Sequence, residues 1–459
     1  MSQSAQASLS RLEEIVGSAH LARGTAEISA REIDGARPSV VVRPADASQI
    51  AEILRYAAAE KLAIIPTGSG TKLGIGSPPA RYDISLDLSR MNRVLAYDPQ
   101  DLTLGVEPGV RIETLLGTLA EKKQFLPLAV PFSERATIGG IVAANSSSPL
   151  RHAYGGVRDF CLGMEFVTGE GVQAKSGGRV VKNVTGYDLH KLLIGSLGTL
   201  AVITRVNFRT FPLLPAQETF VASFSAATAA FDFCRAISHS VLTPQILEVA
   251  DPGAERLLFS GNVSTHIEPR TWSLILSVAG QPTVVERHAR ELGHLATAAN
   301  AEEFLPLAES EANSLLTGIR EFPKLILEAA PGAAIFRIGV APTMIATLIG
   351  KLRDAASRNK QEFLALARAS GILYAALLPG DSSLDASAFL TTAIAEAFRA
   401  CAQIDIPASA MLEWCPTNVK TAAGGVWGPS RQDFELAKRV KKAFDPQNIL
   451  APGRFAGGL

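Results

Sequence analysis

The residues whose types and spacing most clearly suggest chemistry form a glycine-rich loop that follows an apolar segment. Ile64 and Ile65 lead into Pro-Thr-Gly-Ser-Gly-Thr-Lys-Leu-Gly-Ile-Gly, which ends at Gly76. Such a loop can turn its backbone N–H groups toward one point, and glycines let a phosphate approach them closely. The segment therefore suggests a nucleotide pyrophosphate site, although a plain surface loop fits these residues equally well.

The residues after this loop exclude the common doubly wound dinucleotide-binding fold. In that fold the glycine loop opens a helix, but Pro78 and Pro79 follow here, and two prolines break a helix. Asp83 and Asp87 fall near the position of a ribose-binding acid, yet without the helix we interpret them as decoys. A pyrophosphate at this loop would lie between strands.

Two later segments place small residues where secondary structure begins. Thr137 is expected to cap a short helix whose first turn holds Gly139 and Gly140, which would let a ligand or another backbone lie against it. Close helix packing explains these residues slightly better than a ligand does. A second glycine turn at residues 195–200 opens a predicted strand, and a purely structural turn explains it equally well.

Hydrophobic periodicity predicts the elements that position these loops. A strand at 39–43, a helix capped by Asp46, and a strand at 62–66 form a β-α-β unit that leads into the glycine-rich loop. The segment Phe211-Pro-Leu-Leu-Pro indicates a domain boundary. Beyond it, helices and strands alternate as an α+β domain with its own core.

Composition and charge limit the possible function classes. The chain has 459 residues, of which 47% are hydrophobic and 19% charged, as in a globular protein of two or three domains. Basic and acidic residues both number 44, so the chain has no excess positive charge that would favour binding of nucleic acid. No apolar run reaches about 18 residues, the length of a membrane span, and the N-terminus lacks the apolar core of a signal peptide. We expect a cytoplasmic protein.

The cysteines and histidines do not form metal-binding patterns. No C-x-x-C pair exists, which argues against a zinc or iron–sulfur site in this chain. The histidines show no H-x-H spacing, and His288 and His294 are six residues apart rather than four. We therefore expect no metal, and reduced thiols in a cytoplasmic compartment. The cysteines are Cys161, Cys234, Cys401 and Cys415.

Taken together in their order, these segments resemble the FAD-linked oxidase family of the vanillyl-alcohol-oxidase or p-cresol-methylhydroxylase (PCMH) type. Each piece alone is weak, but the ordered set is specific, and it covers about residues 33–215 and 405–459. The matching pieces are Val42-Arg-Pro, residues 66–76, Val106-Glu-Pro-Gly, Thr137-Ile-Gly-Gly with Asn145, Tyr154-Gly-Gly-Val-Arg-Asp, residues 195–203 and Phe444-Asp-Pro-Gln-Asn-Ile-Leu-Ala-Pro-Gly-Arg.

The resemblance implies an α+β fold in three parts. A two-part FAD-binding PCMH-type domain would span residues 33–215, and a second α+β, ferredoxin-like domain would form the cap or substrate domain at 216–410. The C-terminal segment, 411–459, would return to pack on the FAD domain.

Within this family, two segments resemble the FAD-binding subunit of bacterial glycolate oxidase. They are residues 180–189 and the segment from Asn418 to Pro429. That subunit works beside a main glycolate-oxidising flavoprotein and an iron–sulfur subunit. The resemblance therefore implies a small 2-hydroxy acid as substrate, a second flavoprotein and an iron–sulfur subunit as partners, and a cytoplasmic location or a peripheral one at the inner membrane through those partners. The central domain departs from the typical subunit in being longer.

The resemblance also implies the residues that contact FAD, while it assigns no catalytic base. Covalent members carry a histidine at the position of Thr71, and no histidine lies between residues 21 and 151, so we expect non-covalent FAD. Arg337 and Lys324 could each meet a substrate carboxylate, and neither is assigned that role. The expected FAD contacts are Pro66, Thr67, Gly68, Ser69, Gly70, Thr71, Lys72, Pro108, Thr137, Gly139, Gly140, Asn145, Gly198, Leu200 and Ile203.

Two functional hypotheses follow from the resemblance. The first is an FAD-dependent 2-hydroxy-acid (glycolate) oxidase or dehydrogenase subunit that passes electrons from its substrate to an acceptor. The second is a non-catalytic flavin-carrying partner that stabilises a complex or relays electrons. It is favoured because this chain lacks the histidine-rich, metal-binding cluster that relatives oxidising D-2-hydroxy acids often carry in their second domain. The intact FAD loops argue against a merely structural role. A reductase that accepts hydride from a nicotinamide is the weakest alternative, because no nicotinamide fingerprint is present.

Overall fold

The computed structural model describes residues 3–179, 186–259, 271–380, 386–429 and 433–459. Residues 180–185 of the segment that resembles the glycolate oxidase subunit, and also His266, lie outside these ranges. In the described residues the strands are β1 (Leu21–Ala22), β2 (Val40–Val42), β3 (Ile64–Thr67), β4 (Ile84–Asp87), β5 (Val94–Asp98), β6 (Thr103–Val106), β7 (Gln124–Phe125), β8 (Cys161–Thr168), β9 (Gln173–Gly177), β10 (Ala201–Arg209), β11 (Phe211–Pro212), β12 (Ala216–Phe224), β13 (Ile246–Ala250), β14 (Trp272–Gly280), β15 (Glu303–Pro306), β16 (Ala334–Gly339), β17 (Gln361–Arg368), β18 (Ile372–Pro379) and β19 (Ser409–Trp414).

Helices cover and connect these strands. In the described residues they are α1 (Gln3–Val16), α2 (Thr25–Ser29), α3 (Ala47–Glu60), α4 (Ile112–Ala120), α5 (Ile138–Ala144), α6 (Arg151–Tyr154), α7 (Val157–Phe160), α8 (His190–Leu193), α9 (Ala227–Ser238), α10 (Pro252–Phe259), α11 (Pro282–Ala298), α12 (Glu309–Arg320), α13 (Phe322–Ala329), α14 (Ile345–Arg358), α15 (Ala386–Ala402), α16 (Thr417–Ala422) and α17 (Phe434–Phe444), with 3-10 helices at Ser18–His20, Leu88–Arg90, Pro342–Met344 and Ala456–Gly458.

The first sheet contains the predicted β-α-β unit. Its strand order is β1-β2-β4-β3, and β2, β4 and β3 run parallel. Helix α3 connects β2 to β3, and it begins at Asp46, whose carboxylate accepts hydrogen bonds from the backbone N–H groups of Ser48 and Gln49. The side chains of Ile50, Ile53 and Leu54 are fully buried against the sheet. The cap at Asp46 was therefore predicted correctly, and the glycine-rich loop begins where β3 ends.

A second, antiparallel sheet carries the remaining elements of the N-terminal half. Its order is β5-β6-β10-β8-β9, and β8 and β9 form a hairpin around residues 169–171. Helices α4 and α5 pack on this sheet through one apolar cluster that includes Ile112, Ile138 and Phe208. Burial of this cluster fixes α5, and with it the segment Thr137-Ile-Gly-Gly, beside the glycine-rich loop.

The central part of the chain forms one large antiparallel sheet, with the order β15-β12-β14-β13-β17-β18-β16-β19. It consists of two β-α-β-β-α-β units, which are built around helices α9 and α11 and around helices α14 and α15. These units join edge to edge where β13 pairs with β17. The sequence predicted one ferredoxin-like domain, and the structure contains that topology twice. Helices α10, α12 and α13 cover part of the opposite face of the sheet.

The C-terminal segment returns to the first sheet. Ile64 of β3 forms a parallel bridge with Leu450, and Ile449 and Leu450 are fully buried in the core of that sheet. The ammonium of Lys441 in α17 pairs with Asp445 at 2.6 Å and donates to the carbonyls of Thr199 and Leu450. Strand β19 crosses the predicted domain boundary at residue 410, so that division of the chain stays a proposal. Within the described ranges, no helix is long and apolar enough to cross a membrane.

Candidate functional site

A cleft runs along the glycine-rich loop, between that loop, α5 and the turn that precedes β10. Its walls come from six separate parts of the chain, including the C-terminal tail. The residues that line it are Ile65, Pro66, Thr67, Gly68, Ser69, Gly70, Thr71, Lys72, Leu73, Leu88, Pro108, Thr137, Gly139, Gly140, Ala143, Ala144, Leu197, Gly198, Ala201, Ile203 and Arg454.

The cleft brings together all of the predicted FAD contacts except Asn145 and Leu200. Asn145 ends α5 in a left-handed conformation, with φ 47°, and its backbone carbonyl accepts a hydrogen bond from Arg337. Leu200 lines a different cavity. The contact assignments stay predictions, and the structure adds lining residues that the sequence reasoning missed. Arg454 is the most consequential of these, and its signal was the terminal Pro-Gly-Arg motif.

Glycine is required where the walls of this cleft meet. A Cβ atom on Gly68 would overlap the Oγ1 atom of Thr137. A Cβ atom on Gly139 would lie 2.7 Å from Cβ of Pro108, well inside van der Waals contact. Gly70 has φ +82°, which L residues rarely adopt. The glycines therefore let the glycine-rich loop, the loop at Pro108 and the first turn of α5 come close together around the cleft.

Lys72 places a buried ammonium in the cleft. Its Nζ atom donates to the carbonyl of Pro131 at 3.3 Å and lies 5.9 Å from the ring centroid of Phe132. Burial lowers the pKa of this ammonium to about 8, while the carboxylates of Glu413 and Glu321 act in the opposite direction. An ammonium held this way gains from an anion in the same cleft.

Arg454 provides a second cation from the opposite end of the chain. One terminal nitrogen, Nη2, donates to the carbonyl of Leu73 at 2.6 Å and to that of Ile75. The other, Nη1, is buried and has no hydrogen-bond partner, and burial lowers the pKa of the guanidinium to about 10. The residue anchors the tail, and it also offers an unused donor beside the cleft. A buried donor without a partner is costly, so this one fits a phosphate ligand.

The two aspartates interpreted as decoys have structural roles. Asp83 accepts a hydrogen bond from the backbone N–H of Ala63 at 2.7 Å. Asp87 forms ion pairs with Arg31 at 2.8 Å and Arg43 at 3.3 Å. Neither lines the cleft.

Comparison with known proteins agrees with this architecture. A family model described as an FAD binding domain matches residues 38–177, and one described as the C-terminal domain of FAD linked oxidases matches residues 429–455. The chain is similar to the FAD-linked oxidases over these two segments. It is an FAD-binding oxidoreductase. Its fold is that of p-cresol methylhydroxylase. The substrate-bound structure of that enzyme superposes with a TM-score of 0.77 at 15% sequence identity, and the superposition covers 99% of this chain and 97% of that one.

Several proteins similar to this chain have named activities. The chain is 26% identical to glycolate oxidase subunit GlcD of Bacillus subtilis, over 91% of this chain and 89% of the relative. It is 28% identical to a mitochondrial D-lactate dehydrogenase (cytochrome) of Arabidopsis thaliana, over 91% of this chain and 73% of the relative. It is also 36% identical to glycolate oxidase subunit GlcE of Escherichia coli, over 38% of this chain and 49% of the relative.

The residues of the cleft fit FAD. A pyrophosphate carries negative charge, and the cleft offers the ammonium of Lys72, the unpartnered Nη1 of Arg454 and a loop whose glycines expose backbone N–H groups. Apolar side chains such as Leu88, Ala201 and Ile203 line the remainder and suit the flat rings of the cofactor. Bound FAD would supply a two-electron acceptor at this site.

The other side chains considered from the sequence are engaged elsewhere. Arg337 pairs with Glu413 and donates to the carbonyls of Ala144 and Asn145, so it ties the large sheet to the end of α5. Lys324 lies 3.9 Å from Glu328 in a partly exposed helical pair. The ring of His288 is held between the carbonyl of Val284 and a backbone N–H. Among the residues that the structure describes, no group of three or more metal-ligating side chains was found.

We expect the affinity for FAD to fall as pH rises above about 8, because binding of the anionic pyrophosphate favours the protonated form of Lys72. The limit for one such group is about tenfold per pH unit. Fluorescence titrations of the FAD-free protein across this range measure the slope. Lys72→Met should weaken binding at neutral pH and flatten the profile, whereas Lys324→Met should leave it unchanged. An equally steep profile in Lys72→Met would assign the dependence to another group.

Proposed function

We propose that this chain is a dehydrogenase or oxidase subunit that oxidises a small 2-hydroxy acid, with glycolate as the first candidate. The cleft carries the proposal, because its cations and glycine loop suit FAD and because Ala144, which lines it, is held by Arg337 of the large sheet through its backbone carbonyl. The named activities of the relatives, glycolate oxidase and D-lactate dehydrogenase, support this substrate class.

The reaction removes two electrons from the carbon that carries the hydroxyl group. The C–H bond breaks with transfer of a hydride, the hydroxyl proton passes to a base, and the product is a 2-oxo acid. The proposed contribution of the chain is binding and orientation. Lys72, Arg454 and the loop of residues 66–72 hold the pyrophosphate, and the remaining predicted contacts lie along the cofactor. Arg337, positioned by Glu413, fixes the end of α5 against the large sheet.

A non-catalytic, flavin-carrying partner subunit is the second candidate. The observation in its favour is that Arg337, a partly buried cation of the large sheet next to the end of α5, already has Glu413 as its counter-charge. A substrate carboxylate requires a cation that is free to pair with it. The similarity to both GlcD and GlcE supports assembly in a multi-subunit glycolate oxidase. We propose a second flavoprotein and an iron–sulfur subunit as partners, in the cytoplasm or peripherally at the inner membrane through them.

Anaerobic mixing of the purified, FAD-loaded chain with glycolate and with D-lactate tests the proposal. Loss of the flavin absorbance without any partner is the expected result. Loss only after co-expression with a second flavoprotein would favour the partner subunit and contradict independent catalysis. In the same preparations, acid precipitation should release the flavin into solution, because Thr71 replaces the linking histidine. Flavin retained on the precipitate would contradict non-covalent binding.

A further inference from the structure

The second half of the glycine-rich loop, residues 73–76, is held by two cations from the C-terminal part of the chain. Its four successive backbone carbonyls all accept hydrogen bonds from these two side chains. Arg454 donates to the first and third carbonyls, and Lys420 donates to the second and fourth. We call residues 73–76 together with Lys420 and Arg454 the loop clamp.

Lys420 is a buried cation whose hydrogen-bonding capacity is filled within the loop clamp and its surroundings. It belongs to α16, its side chain is 2% exposed, and it pairs with Asp34 at 2.9 Å. An ammonium has three N–H donors, and the carboxylate of Asp34 and the two loop carbonyls provide three acceptors. Thr417, one turn earlier in α16, donates to the other oxygen of the same carboxylate at 3.1 Å. Helix α16 is thereby fixed against the loop, although neither Lys420 nor Asp34 lines the FAD cleft.

Arg454 joins the end of the chain to the same loop through its backbone as well as its side chain. Its carbonyl accepts hydrogen bonds from the N–H of Ser77 at 3.0 Å and from the indole N–H of Trp427 at 3.2 Å. A Cβ atom on Gly76 would lie 2.8 Å from this carbonyl oxygen, and Gly76 has φ +96°. Glycine is therefore required where the loop meets the C-terminal tail.

The loop clamp is hydrogen-bonded to the half of the loop that lines the cleft. The N–H of Ile75 donates to the carbonyl of Lys72 at 3.1 Å, and Lys72 lines the cleft. The carbonyl of Gly74 and the N–H of Ile75 belong to one peptide group, which is planar, so holding the carbonyl also fixes the direction of the N–H. Lys420 holds that carbonyl. One peptide group therefore connects Lys420 to the backbone of the cleft.

We propose that Lys420 is a positioning residue for the FAD site, and that FAD binding and docking of α16 stabilise each other through the loop clamp. A clamped loop presents an ordered backbone to the cofactor, whereas a free loop would lose conformational freedom on binding. The coupling is reciprocal, so FAD stabilises the docked position of α16 by the same factor. The proposal rests on FAD in the cleft and does not depend on which acid is oxidised.

The affinity of the FAD-free protein for FAD provides the first test. Lys420→Met should weaken binding about tenfold, which is within the usual range of coupling between two sites. Arg353→Met is the matched control, because it leaves the buried carboxylate of Asp251 without its cation at a place outside the cleft. The control should bind FAD as the unchanged protein does. Unchanged affinity in Lys420→Met would overturn the proposal, whereas failure of the unchanged protein to bind FAD would contradict the cleft assignment itself.

A double variant separates the orientation of the loop from the cost of a buried charge. Lys420→Met leaves the carboxylate of Asp34 without its cation, and a buried charge left alone destabilises the fold. Adding Asp34→Asn removes that charge but does not restore the donors to the loop carbonyls. The double variant should regain thermal stability while its FAD affinity stays about tenfold weaker. Recovery of the affinity together with the stability would mean that Lys420 has only a structural role.

Hydrogen exchange of the unchanged protein tests the reciprocal effect and needs no variant. No residue of α16 lines the cleft, so direct contact with FAD does not protect this helix. We expect the amides of α16 to exchange about tenfold more slowly with FAD bound, whereas those of α9, which covers the large sheet, should be unaffected. In Lys420→Met the protection of α16 should disappear. Equal slowing in both helices, or no slowing in α16, would contradict the coupling.

Discussion

Gly139→Ala should leave the protein largely without FAD, with the affinity reduced at least about tenfold. The N–H of Gly139 donates to the carbonyl of Pro108 at 2.8 Å, so α5 and this loop are in direct contact. A Cβ atom would lie 2.7 Å from Cβ of Pro108 and 3.1 Å from its carbonyl oxygen, and one of the two segments would have to move. Both line the cleft, so the movement changes the binding site. The ratio of flavin to protein after purification and the FAD affinity of the apoprotein measure the effect.

A matched control separates this local effect from the general cost of replacing glycine. Alanine is a better helix former than glycine, so Gly139→Ala does not disfavour α5 itself. Gly74 belongs to the glycine-rich loop and does not line the cleft, and a Cβ atom added there would have no neighbouring atom within 4 Å. Gly74→Ala should therefore retain FAD as the unchanged protein does. Normal flavin content in Gly139→Ala would show that α5 or the loop at Pro108 can move to accept the Cβ atom without weakening FAD binding.

Arg368→Met should destabilise the large sheet by about 3 kcal/mol, the typical cost of leaving one member of a buried ion pair alone. Arg368 donates to Glu248 at 3.0 Å, and their side chains are 3% and 0% exposed. The same guanidinium donates to Ser147 beyond the end of α5. Urea unfolding followed by tryptophan fluorescence measures the loss, because Trp272 and Trp414 lie in strands of the large sheet.

The loss in Arg368→Met should depend on pH with a defined sign. Burial raises the pKa of Glu248 to about 7 despite its partner, and removal of Arg368 raises it further. The folded state then binds more protons than the unfolded state between the unfolded pKa, about 4.3, and the folded pKa. Stability contributed by this group is therefore full at low pH and falls as pH rises through that window. The free energy of unfolding of the variant should therefore be closest to that of the unchanged protein at about pH 5, where Glu248 is protonated in both folded proteins.

Two further variants test this interpretation. Glu248→Leu combined with Arg368→Met should recover most of the stability, because no buried charge is left alone. Arg358→Met removes an exposed pair with Glu396 and should cost no more than about 1 kcal/mol. A double variant that is as unstable as Arg368→Met alone would mean that packing, rather than charge, determines the cost.

The sequence alone was sufficient for the fold class and the cofactor, although not for the doubled ferredoxin-like topology of the large sheet. The β-α-β unit, the cap at Asp46 and the glycine-rich loop depend on local backbone requirements, and residue types and their spacing predict these requirements. Pro78 and Pro79 excluded the doubly wound fold for the same reason. The ordered set of motifs then identified the FAD-linked oxidases, which the family models confirm.

Only the tertiary structure decided which side chains converge. Arg454 donates to a carbonyl 381 residues earlier, and Arg337 finds its counter-charge in Glu413, 76 residues later. Leu200 lines a different cavity, which the turn at residues 195–200, the large sheet and the C-terminal tail form together. Ion pairs and cavities arise between segments far apart in the chain, and a single sequence carries no record of which segments meet. Local backbone chemistry therefore determined the cofactor class, whereas long-range packing determined the charges and cavities around it.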